Sequence, residues 1–280
     1  MKTEIPDELA REVPQTKWGK ILLATPVVMT VIATLLAGLA SSEMTRAQYD
    51  RALGAQLQSK AGDQWSYFQA KKLRGAMQRN SLELLTATTD IRPIENAALE
   101  RVPTAVAPSV DSKVEAALQA GENQKPEAEI ADLLKTVDDK SLVVALQAAK
   151  DNALALDTAT APAGQVLDQL DKSLPAGDKA AARDLTAARM RYNAARYDAE
   201  ARLNQFIANL YELQVRKINV SAERHHKRSG KFFFGMLAAQ AAVIVSTFAI
   251  AAQKRSFLWC LAAVAGLAAV IFAIYVYLRV

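Results

Sequence analysis

Three long runs without a charged residue, Ile21–Ser42, Phe232–Gln253 and Ser256–Leu278, constrain this chain more than any other feature. A helix rises about 1.5 Å per residue, so roughly 20 residues cross a hydrocarbon layer about 30 Å thick. Each run is long enough to span. Much of the 51% hydrophobic content is concentrated there, which excludes a simple soluble enzyme. Trp18 and Lys20 before the first run, Trp259 in the third and Tyr275 and Tyr277 near its end have the placing of interfacial anchors. The tail 1–20 carries four acids beside four bases, and the run after it is longer than a secretory signal core, so an uncleaved anchor is expected.

The expected order is a tail at 1–20, a first span at 21–42, a stalk helix at 43–89, an acidic head at 90–176, a second stalk helix at 177–231, a span at 232–253, a basic turn at 254–255 and a last span at 256–278. Residues 43–89 lack proline, and Leu53, Leu57, Ala61, Trp65, Phe68, Leu73 and Met77 recur at helical steps. Leu185, Tyr192, Ala199, Leu203, Phe206, Leu210 and Leu213 form a near-heptad stripe in the second stalk helix. If both helices leave a bilayer at Glu43 and Lys231, residues at equal height have numbers summing to about 274. Phe68 then faces Phe206, and Trp65 lies near Leu210. The head differs: it holds six of the nine prolines, no aromatic residue, and 15 acids against 8 bases, a net −7 that leaves +12 elsewhere. The expected fold is an all-α membrane protein with three transmembrane helices, a long antiparallel helical-hairpin, coiled-coil-like stalk, and a small helical or partly disordered acidic head.

The short flanks place Lys2, Arg11, Lys17, Lys20, Lys254 and Arg255 against Arg279 alone. This puts the N-terminal tail on the cytoplasmic side of a bacterial inner membrane and residues 43–231 in the periplasm. Arg224, Lys227, Arg228 and Lys231 pull the other way, but long segments translocate largely regardless of charge.

The densest motif is Asp63-Gln64-Trp65-Ser66-Tyr67-Phe68-Gln69-Ala70-Lys71. With Phe206 and Leu210 opposite, it reads as an aromatic plug that holds two helices in register, or as a partner surface. His225 and His226 are neighbours about 100° apart on a helix and cannot chelate one ion as positions four apart can. With Arg224, Lys227, Arg228 and Lys231 they suit lipid headgroups. No aromatic residues interleave them, which argues against nucleic acid. Gln240, well inside a span, needs a hydrogen-bond partner there. Thr30, Thr34 and Gly38, Gly235 and Ala239, and Ala262 and Gly266 recur at four-residue spacing, the pattern of close helix packing. No phosphate loop, nucleophile elbow or zinc-protease motif occurs, so neither catalysis nor a cofactor nor a metal is expected.

The nonapeptide after a first apolar run, Tyr197-Asp198 and Arg202-Leu203 in the second long helix, and His225-His226 before a closing pair of spans resemble an uncharacterised bacterial membrane-protein family, domain of unknown function 4337. The resemblance implies a topology and supplies no catalytic residue. The expected role is an oligomeric scaffold whose acidic head meets a protein partner, with membrane lipids around its spans. The alternative is a sensor or accessory subunit of a transporter or receptor.

Overall fold

A computed structural model describes residues 17–96, 99, 108–251 and 255–279. The tail 1–16 and Lys254 of the basic turn lie outside them, and the side chains of Trp18, Trp259 and Tyr277 are likewise outside the description. Among the described residues six helices follow in order: α1 (Lys17–Thr88), α2 (Ser112–Glu122), α3 (Glu127–Thr136), α4 (Asp139–Ser173), α5 (Lys179–Ala251) and α6 (Arg255–Arg279). There is no strand among the described residues.

Local chemistry sets the helix ends. Asp111 caps α2, accepting from the Lys113 N–H at 2.9 Å. The turn after α2 places Gln124 at φ 52°, and Pro126, which has no N–H to satisfy, stands before α3. Between α4 and α5, Gly177 adopts φ 94°, a left-handed conformation that glycine takes without a Cβ penalty. Asp178 then accepts from the Ala180 and Ala181 N–H groups and starts α5. Pro162 lies inside α4 and removes one backbone donor there.

The chain divides into two compact units. One, Leu53–Ile218, is a bundle. Its main core joins Val114, Ala117, Leu118, Ile130, Leu134, Leu142 and Ala149 to Ala61, Ile207, Leu210, Tyr211 and Leu213. Burying Ile130, Leu134 and Leu142, each at most 2% exposed, contributes about 1.5–3 kcal/mol apiece. The α4 helix continues along α5: Leu156 packs with Ala199 and Leu203, and Ala163 and Leu167 pack with Leu185 and Tyr192. The middle segment, expected as a small helical or partly disordered head, is helical where it is described. Residues 112–173 fold against the long helices, and the aromatic contact missing from their own sequence comes from Tyr192 and Tyr211.

The other unit takes the described residues up to Ala52 and from Asn219 onward. Its interior is rich in small residues: Ala33, Ala40, Ala239, Ala242, Ser246, Ala249, Ala262 and Ala269 are buried, beside Leu36, Phe232 and Val276. Most of its large apolar side chains point outward. Leu35, Phe234, Phe248, Val264 and Leu278 are among the most exposed in the chain. Two of the helices, over Leu23–Thr88 and Lys179–Ile250, are long and apolar enough to cross a membrane, and Cys260–Val276 is a shorter apolar helix.

Candidate functional site

In the bundle, the nonapeptide wraps around α1 so that only part of it faces α5. Gln64, Trp65, Phe68 and Lys71 are half-buried, while Asp63, Tyr67 and Gln69 are exposed. The Trp65 and Phe68 rings meet edge to face with centroids 5.4 Å apart. Trp65 Nε1 donates to Glu212 at 2.7 Å, and Lys71 pairs with Glu200 while lying over the Tyr197 ring. Two turns on, Arg79 holds Asp198 with both guanidinium nitrogens, at 2.5 and 3.1 Å, a bidentate charge-assisted pair.

Phe68 packs on Trp65 of its own helix, whereas Phe206 and Leu210 join the core that α2, α3 and α4 complete. The two long helices approach closely at Gly75. A Cβ there would stand 3.1 Å from Asp198 Oδ1, 3.5 Å from the Ala194 carbonyl oxygen and 3.5 Å from Tyr197 Cβ. Small residues are buried on both helices, Ala61 on α1 and Ala194, Ala201 and Ala208 on α5. Leu73 and Met77, expected in the seam, are turned outward.

The basic cluster in the apolar unit splits in two. Its inward part closes on Glu43, whose side chain is 12% exposed. His225 Nδ1 lies 2.5 Å from Glu43 Oε2, while Arg46 and Arg228 stand 3.8 and 4.0 Å from Oε1. One helical turn along α5, Ser229 donates to the Ala40 carbonyl at 2.7 Å. Arg224, His226 and Lys227 stay exposed, Lys231 is half-buried, and Lys227 lies 3.4 Å from Glu223. In the sequence Glu43 stands out only as the first charge after a 22-residue uncharged run, which says nothing of its partners.

The small-residue pairs divide as well. Gly235 and Ala239 pack inside the unit, where a Cβ at Gly235 would lie 3.5 Å from Leu36 Cδ1, and Met29 occupies the space a Cβ would need at Gly266. Thr30, Thr34 and Gly38 are exposed, and nothing lies near Gly38. Gln240 also faces outward, away from the helix packing expected to supply its partner. Among the described residues no group of three or more His, Cys, Asp or Glu side chains is placed to hold a metal.

A model of the family described as Domain of unknown function (DUF4337) matches residues 20–159. The chain belongs to this family. The DUF4337 match runs from the start of the first apolar run into α4, so it takes in the nonapeptide, Glu43 and the core of α2 and α3. Tyr197-Asp198, Arg202-Leu203 and His225-His226 lie outside the matched stretch. No curated protein and no solved structure matches the chain.

The partners of Tyr192 and of the acids in the middle segment leave no mark in the sequence. The Tyr192 hydroxyl donates to the Thr160 carbonyl at 2.9 Å, and burial pushes its phenol above the usual tyrosine value. Arg189 reaches Asp168 and Asp171, Arg216 reaches Glu127, and Lys217 reaches Asp139. Part of the acidic surplus of 90–176 is thus matched by bases of α5. These pairs are largely exposed, so each stabilises little; no short motif marks them in the sequence.

Proposed function

We propose that this DUF4337 chain is an integral membrane scaffold of the bacterial inner membrane. It is anchored by spans at 21–42, 232–253 and 256–278, and α1 and α5 form an antiparallel helical-hairpin stalk. The observation that carries the reading is the inverted unit, with alanines inside and Leu35, Phe234, Phe248 and Val264 outside. In water such a surface would be a large cost; in lipid, large apolar side chains outward and small ones at helix contacts are the favoured arrangement. Less than a third of each long apolar stretch is buried, unlike the core helix of a soluble protein.

The proposal assigns a structural role and no catalysis. The bundle, with its exposed Val143, Val144 and Leu154 on α4, meets a protein partner, and Arg224, His226 and Lys227 meet headgroups. Gln240 supports self-association, because an amide exposed in a span gains a hydrogen bond when a second chain covers it. The test is extraction of the full chain from bacterial membranes. It should stay in the membrane pellet after an alkaline carbonate wash and leave detergent as a complex heavier than one chain. Release by the wash would overturn the membrane reading, and a single-chain mass would overturn the oligomer.

A further inference from the structure

On the side of α1 away from α5 runs a second stripe that is left exposed among the described residues. Ala70, Leu73, Met77, Asn80, Leu84 and Ala87 follow alternating steps of three and four, the spacing of a coiled-coil seam. At about 100° per residue, Leu84 lies half a turn round from Gly75 and so opposite the contact with α5. Leu73, Met77 and Leu84 are 63%, 57% and 69% exposed. No member of the stripe is charged, although Lys71, Lys72, Arg74, Arg79 and Glu83 occupy positions between. A helix face that meets only water concentrates its charges there; this face sheds them.

We propose that this stripe is the contact between copies of the chain, two α1 helices lying parallel and in register along residues 70–87. This deepens the scaffold reading and rests on it. A seven-residue period stays aligned only with another helix. Both copies carry their apolar run at the N-terminal end of α1, so anchorage in one bilayer makes them parallel and brings each residue to the height of its twin. Leu73, Met77 and Leu84 then meet themselves. Asn80 meets a second Asn80, and because an amide both donates and accepts, the pair satisfies itself; one such polar pair in an apolar seam fixes register and strand number. The flanks agree. Parallel pairing sets Gln69 beside Arg74, Ala76 beside Ser81 and Glu83 beside Thr88, with no like charges opposed.

The test uses the full chain in detergent with Cys260→Ala, so that single cysteines can be read. Leu73→Cys, Met77→Cys and Leu84→Cys should each form disulfide dimers several-fold faster than Lys72→Cys. Met77→Lys should lower the complex mass with unchanged helical content. Mixed Leu73→Cys and Leu84→Cys chains that crosslink to each other better than to themselves would reveal antiparallel pairing and overturn the proposal. An oligomeric mass with no preference for the stripe cysteines would overturn this interface and leave the scaffold standing, whereas a single-chain mass would remove both. Dimers that form only through a co-purifying foreign helix would also overturn it.

Discussion

Trp65 is held at two points of its ring, by Phe68 on one edge and by Glu212 at Nε1. The ring was legible as a structural anchor from its place in an aromatic cluster, but its partner was not, since an acid 147 residues away leaves no local trace. The two contacts predict a graded series. Trp65→Phe keeps the apolar edge and loses one charge-assisted hydrogen bond, a cost of about 1.5–3 kcal/mol. Trp65→Ala loses the edge as well and should melt lower still, though a half-buried ring sits at or below the low end of the roughly 3–5 kcal/mol typical of a fully buried one. Equal melting temperatures for the two variants in one detergent would show that packing contributes nothing. Tyr192 gives a pH signature. Burial raises its pKa in the fold, so its proton is bound more tightly there than in the unfolded chain; stability is intact at neutral pH and falls as the pH climbs past about 10. Tyr192→Phe should cost about 0.5–1.5 kcal/mol near neutrality and flatten that alkaline decline, as read by unfolding midpoints at neutral and alkaline pH.

At the scale of the helix, two glycines of α1 behave oppositely. Nothing lies within 4 Å of a Cβ at Gly62, whereas Gly75 sits against Asp198, Ala194 and Tyr197. Gly62→Ala should therefore gain about 0.5–1 kcal/mol from helix propensity and the less flexible unfolded chain. Gly75→Ala should forfeit that gain, because the carboxylate it crowds is clamped by Arg79. Thermal melts of the two variants separate these outcomes, and a Gly75→Ala chain as stabilised as Gly62→Ala would show that the close approach is not needed. Here lies the main reason the inward face of α1 was not legible. Leu73 and Met77, the bulky residues of the stripe, turn outward, whereas Ala61 and Gly75 and, on α5, Ala194, Ala201 and Ala208 are buried. Small residues do not stand out against an alanine-rich background. The existence of the long helices was legible, because apolar runs and missing prolines act locally. Which side of each helix turns inward depends on contacts more than a hundred residues apart.

For the whole molecule, the acidic middle changes the meaning of the charge balance. Its −7 against +12 elsewhere suggested a head offered to a partner, but Glu127, Asp139, Asp168 and Asp171 lie beside bases of α5, so part of the asymmetry guides the segment onto its own bundle. Salt should therefore loosen any partner complex less than the sequence count implies. Orientation rests on the short flanks. Lys2, Arg11, Lys17, Lys20, Lys254 and Arg255 favour the cytoplasm, Arg279 alone opposes them, and the basic residues 224–231 belong to a segment too long for its charge to govern translocation. An insertion near Gly121 is suited to the test, since nothing lies within 4 Å of a Cβ there and α2 ends one residue later. A reporter active only outside the cytoplasm should be active at that site and silent when fused to the N-terminal tail. The reverse pattern would place the bundle in the cytoplasm, and its exposed α4 face would then have to meet a cytoplasmic partner.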